Sequence, residues 1–551
     1  MPAEALCGTH EVFENRAART GRQIPLQVVV LPATGAQRLP DPFVFFAGGP
    51  GDASIPSGIE VARLLPALRR TRDVLLVDLR GTGRSGGLFC PELQGWQGAQ
   101  GFLDDFLPAD KVRACRDRLK REVDLSWYTT DAAIDDVEEV RTALGYGPLN
   151  LMGVSHGTRA VLTYLRRHPG SVRTATLEGV VPPDERYPLG LARSTQTALD
   201  GLVAECEADP ACRSAFPQLR QEVAAVLLRA AAEPVRVELT DPSPPVALTL
   251  GPRGVAQTLR YRLYTPGEAS LLPLEVHQAA QGDWKPLAEA ARRYAQRKGS
   301  LADGFYQSVT CAEDLAFLRE DEIAPAVAGT FLGDFRVRAQ KAACEGWPIR
   351  ELDPGFHAPV VSDVPSLLIS GERDPATPAA GAARVARTLK RSRHLVIADG
   401  GHGPEGMRNS DCLYDMIAAF VEAGTAEGLD TSCIARLRRP EFVLRSGPSA
   451  PEAEVAVARA DLERFPGTYR NRDMGLTVQV DLVEGQLRVS IQEGPPFPPF
   501  RLIPVSPIRF RAEGEGLAPG LMMGFQVAEG KATELLLAQP GMPEVVLQRT
   551  E

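Results

Sequence analysis

Two serines in this chain occupy the pattern G-x-S-x-G, which can hold a nucleophilic hydroxyl on a sharp turn. They are Ser155 in GVSHG and Ser85 in GRSGG. A serine attacks a carbonyl only with help: a base to take its proton, an acid to orient that base, and N–H donors for the oxyanion. The pattern alone is a weak signal in a chain with 51 glycines, so the setting decides. A nucleophile elbow needs a strand, a tight turn with the serine at its apex, and a helix. LNLM precedes GVSHG as a strand. TRAVLTYLRRH follows as a helix, with Val161, Tyr164 and Leu165 on one side and Pro169 ending it. A serine at a helix start also gains from the positive end of the helix dipole. GRSGG follows the loop Gly81-Thr82-Gly83 and leads into LFCPEL, which shows no helical start. Ser155 is the predicted nucleophile; Ser85 reads as part of a flexible loop.

Seven histidines are candidate bases. His156 adjoins the serine, and the turn directs its side chain elsewhere. His168 caps a helix, His10 precedes the sheet, His277 and His357 belong to a helical stretch and its exit loop, and His394 begins an apolar strand. His402 lies in ADGGHGP, a glycine-rich loop after the last strand of the α/β pattern, where a base reaches the carboxyl edge of a sheet. Asp374, on a turn set by Pro375 after the strand SLLIS, is the predicted orienting acid, with Glu372 and Asp399 as rivals. The order Ser155, Asp374, His402 is the chain order of α/β-hydrolase triads. The oxyanion donors predicted are the N–H of His156 and that of Gly49, with Gly48 next, in the loop Ala47-Gly48-Gly49-Pro50-Gly51 after FVFF.

These residues need a parallel sheet to bring them together. Leu26–Leu31, Phe43–Phe46, Val74–Val77, Leu149–Met152 and Ala175–Leu177 read as buried strands. A helix from about Asp131 to Leu144 lies among them, with Ile134, Val137, Val140 and Leu144 on one face and Gly145 as its stop. Alternating strands and helices imply a doubly wound α/β sheet. The rhythm pauses at 182–361, read as a helical cap insertion with Pro-rich breaks such as Asp241–Pro245. It resumes with Ser366–Ser370, a helix from about Ala379 to Leu389, and His394–Ala398. The hydrolase core is therefore assigned to 1–181 and 362–445. Arg445–Pro451 reads as a linker. Beyond it, strict alternation at Leu476, Val478, Val480, Leu482 and again at Leu487, Val489, Ile491 predicts a hairpin in a small antiparallel β domain over 455–551.

The chain's 551 residues exceed one core, and its net charge is −9 with no basic run carrying aromatics, so nucleic-acid binding is excluded as a partner class. No apolar run reaches the ~18 residues of a membrane span. No CxxC pair suggests a metal, and the chemistry above requires no cofactor. Eight of the nine cysteines are sequence neighbours: Cys90 with Cys115, Cys206 with Cys212, Cys311 with Cys344, Cys412 with Cys433, leaving Cys7. They read either as buried thiols or as local disulfides of an exported protein. The start, MPAEALCGTHEVFENR, has no apolar signal core. Export with the signal absent from this chain is the expectation; a cytoplasmic protein is the alternative.

AGGPG, VDLRGTGRSG, GVSHGTRAVLTYLRRHP, GERDPATP and GGHG together resemble the α/β-hydrolase family of proline iminopeptidases and tripeptidyl aminopeptidases, over about Cys7 to Cys433. The resemblance makes GRSGG part of a loop beside the active site. Ala47 stands where the family usually has histidine, and His156 where it often has an aromatic residue. It implies release of residues from free peptide N-termini, with acidic cap groups holding the α-ammonium. TCAED at Thr310–Asp314 is similar to the corresponding cap segment, which makes Glu313 the amine anchor, with Asp314 and Glu178 as weaker candidates. Many relatives are exported, in line with disulfides. DLERFPGTYR and EVVLQR resemble a β domain appended to some bacterial periplasmic hydrolases.

The expectation is a serine hydrolase working through an acyl-enzyme on small peptides with free N-termini. The alternatives are a carboxylesterase using the same residues on esters, and a non-catalytic binding protein on this scaffold. The sequence fixes no oligomeric state.

Overall fold

The computed structural model describes residues 5–94, 99–239, 245–297, 301–445, 454–495, 497–514, 517, 521–528, 530–539 and 544–550. Six strands come first: β1 (Leu6–Phe13), β2 (Gln23–Leu31), β3 (Phe43–Phe46), β4 (Val74–Val77), β5 (Leu149–Val154) and β6 (Val172–Glu178). A short hairpin follows, β7 (Val235–Leu239) with β8 (Val246–Leu250), and then β9 (Ser366–Gly371) and β10 (Ser392–Ile397). One eight-stranded sheet forms in the order β1-β2-β4-β3-β5-β6-β9-β10. Its first two contacts are antiparallel and the rest parallel.

FVFF and VLLV are buried along their whole length because both faces of the sheet are covered. Alternate side chains of one strand enter opposite cores. Val44 and Phe46 pack with Ile134, Val137, Val161 and Leu165, from the helices Thr130–Ala143 and His156–Arg167. Phe43 and Phe45 pack with Ile55, Leu413 and Ile417, from the helices Ser54–Leu64 and Asp411–Ala423. The order of strands puts β5 at the centre of the sheet, where its carboxyl end opens a crevice. The helix expected to reach Leu389 ends at Ala386; Leu389 instead lies in a turn whose backbone bridges to Ser362.

The segment between β6 and β9 is not uniform. Leu199, Leu202, Val226, Leu259, Val276 and Leu287 form a core of their own, whereas Phe305, Val309, Cys311, Ala343 and Trp347 join the main sheet's core. The β7–β8 hairpin adds strand structure to a stretch read as mostly helical, burying Val237, Leu239, Leu248 and Leu250. Of the Pro-rich break Asp241–Pro245, only Pro245 is among the described residues, and of the linker Arg445–Pro451 only Arg445.

The remaining strands are β11 (Gly467–Asn471), β12 (Leu476–Val483), β13 (Gln486–Glu493), β14 (Phe500–Pro504), β15 (Arg509–Glu513), β16 (Met522–Ala528), β17 (Lys531–Ala538) and β18 (Val545–Arg549). They close into an antiparallel barrel through pairing of Tyr469 with Arg549 and Arg470 with Gln548. Closure removes both exposed edges. Val478, Val480, Leu487 and Val489 point inward, as their alternation requires.

Four disulfides join Cys90–Cys115, Cys206–Cys212, Cys311–Cys344 and Cys412–Cys433. Such bonds persist in oxidising compartments such as the periplasm or the extracellular space. Among the described residues no helix is long and apolar enough to cross a membrane.

Candidate active site

Ser155 stands between the end of β5 and the helix His156–Arg167, with φ 56° and ψ −125°. Few non-glycine residues adopt that backbone, and it persists only where the surroundings hold it. The neighbours do so. A Cβ on Gly153 would run into the carbonyl of Gly157, and one on Gly157 into that of Phe46. The Ser155 N–H donates to the Glu178 carbonyl at 2.9 Å, and the Thr158 hydroxyl donates to the Ser155 carbonyl at 2.6 Å. His156 is buried, and burial followed by the nearby Arg159 lowers its imidazole to about 3, so it stays neutral.

Ser85 is placed quite differently. It is wholly buried, and its hydroxyl accepts the Gln27 N–H at 2.8 Å. Gly81 N–H donates to its carbonyl and its own N–H donates to Thr82. The loop expected to be flexible is a pinned turn, because its backbone groups are satisfied internally and the adjoining Asp78 carboxylate accepts from Ile55 and Arg84 N–H groups.

His402 arrives at the same rim as Ser155. A Cβ on Gly179, the residue after the strand that receives the Ser155 N–H, would lie 3.3 Å from His402 Cε1. His402 Nδ1 lies 2.9 Å and 3.0 Å from the two oxygens of Asp374. Asp374 is fixed in turn by the N–H groups of Ala376 and Thr377 at 2.7 and 2.8 Å, and by the Thr377 hydroxyl at 2.7 Å. Burial pushes the Asp374 carboxyl up, but His402 and the Thr377 donors outweigh it and leave it below its ordinary value. Burial pushes His402 down, yet Asp374 outweighs it and leaves the imidazole raised. Both directions favour an ion pair. Among the described residues the Ser155 hydroxyl has no hydrogen-bond partner; such contacts often tighten only when substrate is bound.

The other histidines are engaged elsewhere: His10 with Glu139, His168 with Asp135, His277 with Glu222, His357 with the Glu313 carbonyl and His394 with Ser370. Of the rival acids, Glu372 accepts the Asp399 N–H at 3.4 Å and Asp399 lies 3.6 Å from Arg373. Sequence reasoning missed Thr377 and Tyr264. Thr377 was legible as a hydroxyl three residues after an aspartate, a turn-forming spacing. Tyr264 comes from the insertion, its ring 5.2 Å from His402 and edge-on, and its carbonyl accepts the His402 N–H at 2.6 Å.

In the loop after β3, a Cβ on Gly48 would sit 3.5 Å from Ser155 Oγ, while one on Gly49 would approach Gly51 N and Asp52 N. Gly48 is therefore the glycine that faces the hydroxyl, and Gly49, at φ 111°, makes the turn.

The acids are not brought together as expected. Glu313 and Asp314 lie on a single π-helical turn, Thr310–Asp314, fully buried. Both Glu313 oxygens are taken by Thr130, from its N–H at 2.6 Å and its hydroxyl at 2.9 Å. Asp314 Oδ1 accepts from Arg159 at 2.9 Å and from the Tyr187 N–H at 3.2 Å. Burial raises Glu313 to about 8 and Asp314 to about 6, against the pull of Arg159. Glu178 differs. It is 8% exposed, lines a cavity of about 460 Å³ together with His402, and among the described residues its carboxyl has no hydrogen-bond partner. Burial, then Glu405, raises it to about 7. Glu60, Glu405 and Asp473 line the same cavity. Asp473 belongs to the barrel, held by the Ser410 hydroxyl at 2.8 Å. No local signal in the sequence could have placed it there.

Residues 41–218 match the family described as alpha/beta hydrolase fold, and residues 330–433 the family described as TAP-like protein. Ser155 falls in the first span; Asp374 and His402 fall in the second. Serine protease Hip1 of Mycobacterium tuberculosis is 24% identical over 474 residues, covering 79% of this chain and 88% of that protein. Tripeptidyl aminopeptidase of Streptomyces lividans is 23% identical over 471 residues, covering 79% and 84%. Among solved structures, proline iminopeptidase of Mycobacterium smegmatis aligns at 16% identity and a TM-score of 0.33, covering 76% of this chain and 98% of that one.

Proposed function

The chain is an α/β-hydrolase and a serine hydrolase, and from that premise we propose that it is an aminopeptidase, releasing residues or short peptides from free N-termini through an acyl-enzyme. Ser155 attacks the scissile carbonyl, forming the C–O bond as its proton passes to His402. The N–H groups of His156 and of the Gly48–Gly49 turn hold the oxyanion. His402 returns the proton to the leaving amine, and water then hydrolyses the ester by the same route. Asp374 keeps the imidazole oriented and stabilises its charged form.

One observation supports the amine preference: the Glu178 carboxyl, unpartnered among the described residues, in an acid-lined cavity that it shares with His402. That cavity suits an α-ammonium. Glu178 is the anchor in this reading, in place of Glu313 and Asp314, whose oxygens are already engaged. The four disulfides support an exported protein.

The experiment is a substrate panel: aminoacyl and tripeptidyl amides, the same compounds N-acetylated, and simple acyl esters. Loss of turnover on acetylation is the expected result. Equal turnover of free and blocked peptides removes the aminopeptidase reading. Turnover confined to esters makes the protein a carboxylesterase, and failure to react with a serine-directed phosphonate makes it a non-catalytic binder.

A further inference from the structure

Four arginines are the largest nearly inaccessible polar side chains of the protein: Arg80, Arg159, Arg260 and Arg262. Three have carboxylate partners. Arg80 meets Asp136 at 2.7 Å, Arg159 meets Asp314 at 2.9 Å, and Arg262 meets Glu275 at 2.9 Å and also Glu268. Arg260, only 1% exposed, has no carboxylate within ion-pair distance among the described residues. Its Nη2 donates to the Tyr264 hydroxyl, while Nε and Nη1 are buried with no acceptor among the described residues. Arg336, 4% exposed, repeats the arrangement: Nη2 donates to the Tyr187 hydroxyl at 3.1 Å, and its Nε and Nη1 have no acceptor among the described residues.

Aromatic rings lie against both cations. The Arg260 guanidinium lies 4.8 Å from the Tyr261 ring centre and 4.9 Å from that of Tyr264, and Arg336 lies 3.2 Å from that of Phe106. Ring faces moderate the cost of a buried cation but supply no counter-charge and no in-plane acceptor. A buried guanidinium with unused N–H groups is a geometry made for a bidentate anion.

The position ties Arg260 to the chemistry, and Arg336 to Arg260, since the charges of both arginines act on the Tyr264 hydroxyl. Gln257, Arg260, Tyr261 and Tyr264 recur at helical spacing along and just beyond the helix Pro252–Arg262. Both oxygen and nitrogen of the buried Gln257 amide are also unpartnered. Tyr264 contacts both Arg260 and His402; the 4.9 Å and 5.2 Å legs cap the distance between guanidinium and imidazole at about 10 Å.

We propose that Arg260 and Arg336 bind a carboxylate of the substrate beneath the helical insertion, beside His402. It is either an acidic side chain or the C-terminus of a short peptide. The proposal rests on the serine-hydrolase site described above, and not on whether the reacting bond is an amide or an ester. Tyr264 also lines the acid-walled cavity, so cationic and anionic groups meet around one ring, an arrangement suited to a zwitterion.

The test is calorimetric titration of the full chain carrying Ser155→Ala, which binds without turnover. The probes are Ala-Ala-Glu and Ala-Ala-Gln, each with free and amidated C-terminus, and monomethyl glutarate with its amide. The expected result is that a carboxylate probe binds about tenfold or more tightly than its amide counterpart. Adding Arg260→Gln or Arg336→Gln then shrinks that ratio. Preference that follows the glutamate side chain identifies an acidic residue, and preference that follows the free C-terminus identifies the peptide end. Equal affinity of acids and amides, or no binding by any probe, overturns the proposal. That comparison uses the chain with both arginines present, so it stands even if the arginine variants do not fold. Discrimination by the glutarate pair without peptide binding keeps the anion site and removes the peptide reading instead.

Discussion

The two G-x-S-x-G turns have the same letters and opposite fates. In both, glycines allow close approach: Gly153 and Gly157 sit against backbone carbonyls, and Gly83 and Gly87 against Asp78 and Phe89. The serines differ. Ser155 is lifted to φ 56° at the end of a central strand, its hydroxyl without a partner among the described residues. Ser85 lies fully buried and spends its hydroxyl on the Gln27 N–H. In the proposed reading Ser155 is the reactive serine, held in a strained backbone and left unbonded among the described residues, and Ser85 is the structural one, its bonds complete.

The sharpest break in that comparison is Ser155→Ala, expected to lower kcat by roughly 10⁴-fold or more and to abolish phosphonate labelling. Comparable labelling of Ser85 in that variant would reverse the assignment. Next in size is Asp374→Asn, expected to reduce kcat by about 10⁴-fold, as loss of the orienting carboxylate does in other triads, while leaving the fold intact by circular dichroism. A fall of only a few-fold would make Asp374 a bystander. Ser85→Ala should act on stability alone. It strands the Gln27 N–H, at a cost of about 1–3 kcal/mol read as a lower denaturant midpoint, with kcat little changed.

The subtlest is the pH profile. Because Asp374 raises the His402 pKa, imidazolium persists to higher pH. Activity should therefore rise with pH through a midpoint above the ordinary histidine value of ~6.5. The same pair contributes stability below that ordinary value, which is lost as pH rises through the raised folded-state pKa. A midpoint at or below ~6.5 would mean that the Asp374–His402 contact is absent in solution.

Much of the site was readable because it is built from local rules. A strand, a glycine-flanked serine and a helix are adjacent in the chain, so GVSHG announces its geometry. The strands FVFF and VLLV match their structural limits because continuous apolar runs have nowhere to go but a covered sheet. The acids were harder. The resemblance of TCAED to a family cap segment made Glu313 the amine anchor, but its oxygens belong to Thr130, 183 residues away. Glu178 was only a weaker candidate for the amine, yet packing encloses it beside His402. The barrel was readable as alternating strands; its closure depends on the β11–β18 pairing, between segments about 80 residues apart.

The sequence by itself determined the main strands of the sheet and which serine stands between a strand and a helix, because those follow from side-chain periodicity and backbone freedom within a few residues; the β7–β8 hairpin escaped it. Only the tertiary structure decided which charges are spent and which are left over. Whether a buried carboxyl or guanidinium finds a counter-charge depends on residues brought from elsewhere in the chain. Among the described residues Arg159 found Asp314 and Arg260 found no acid, a difference that no reading of their immediate neighbours contains.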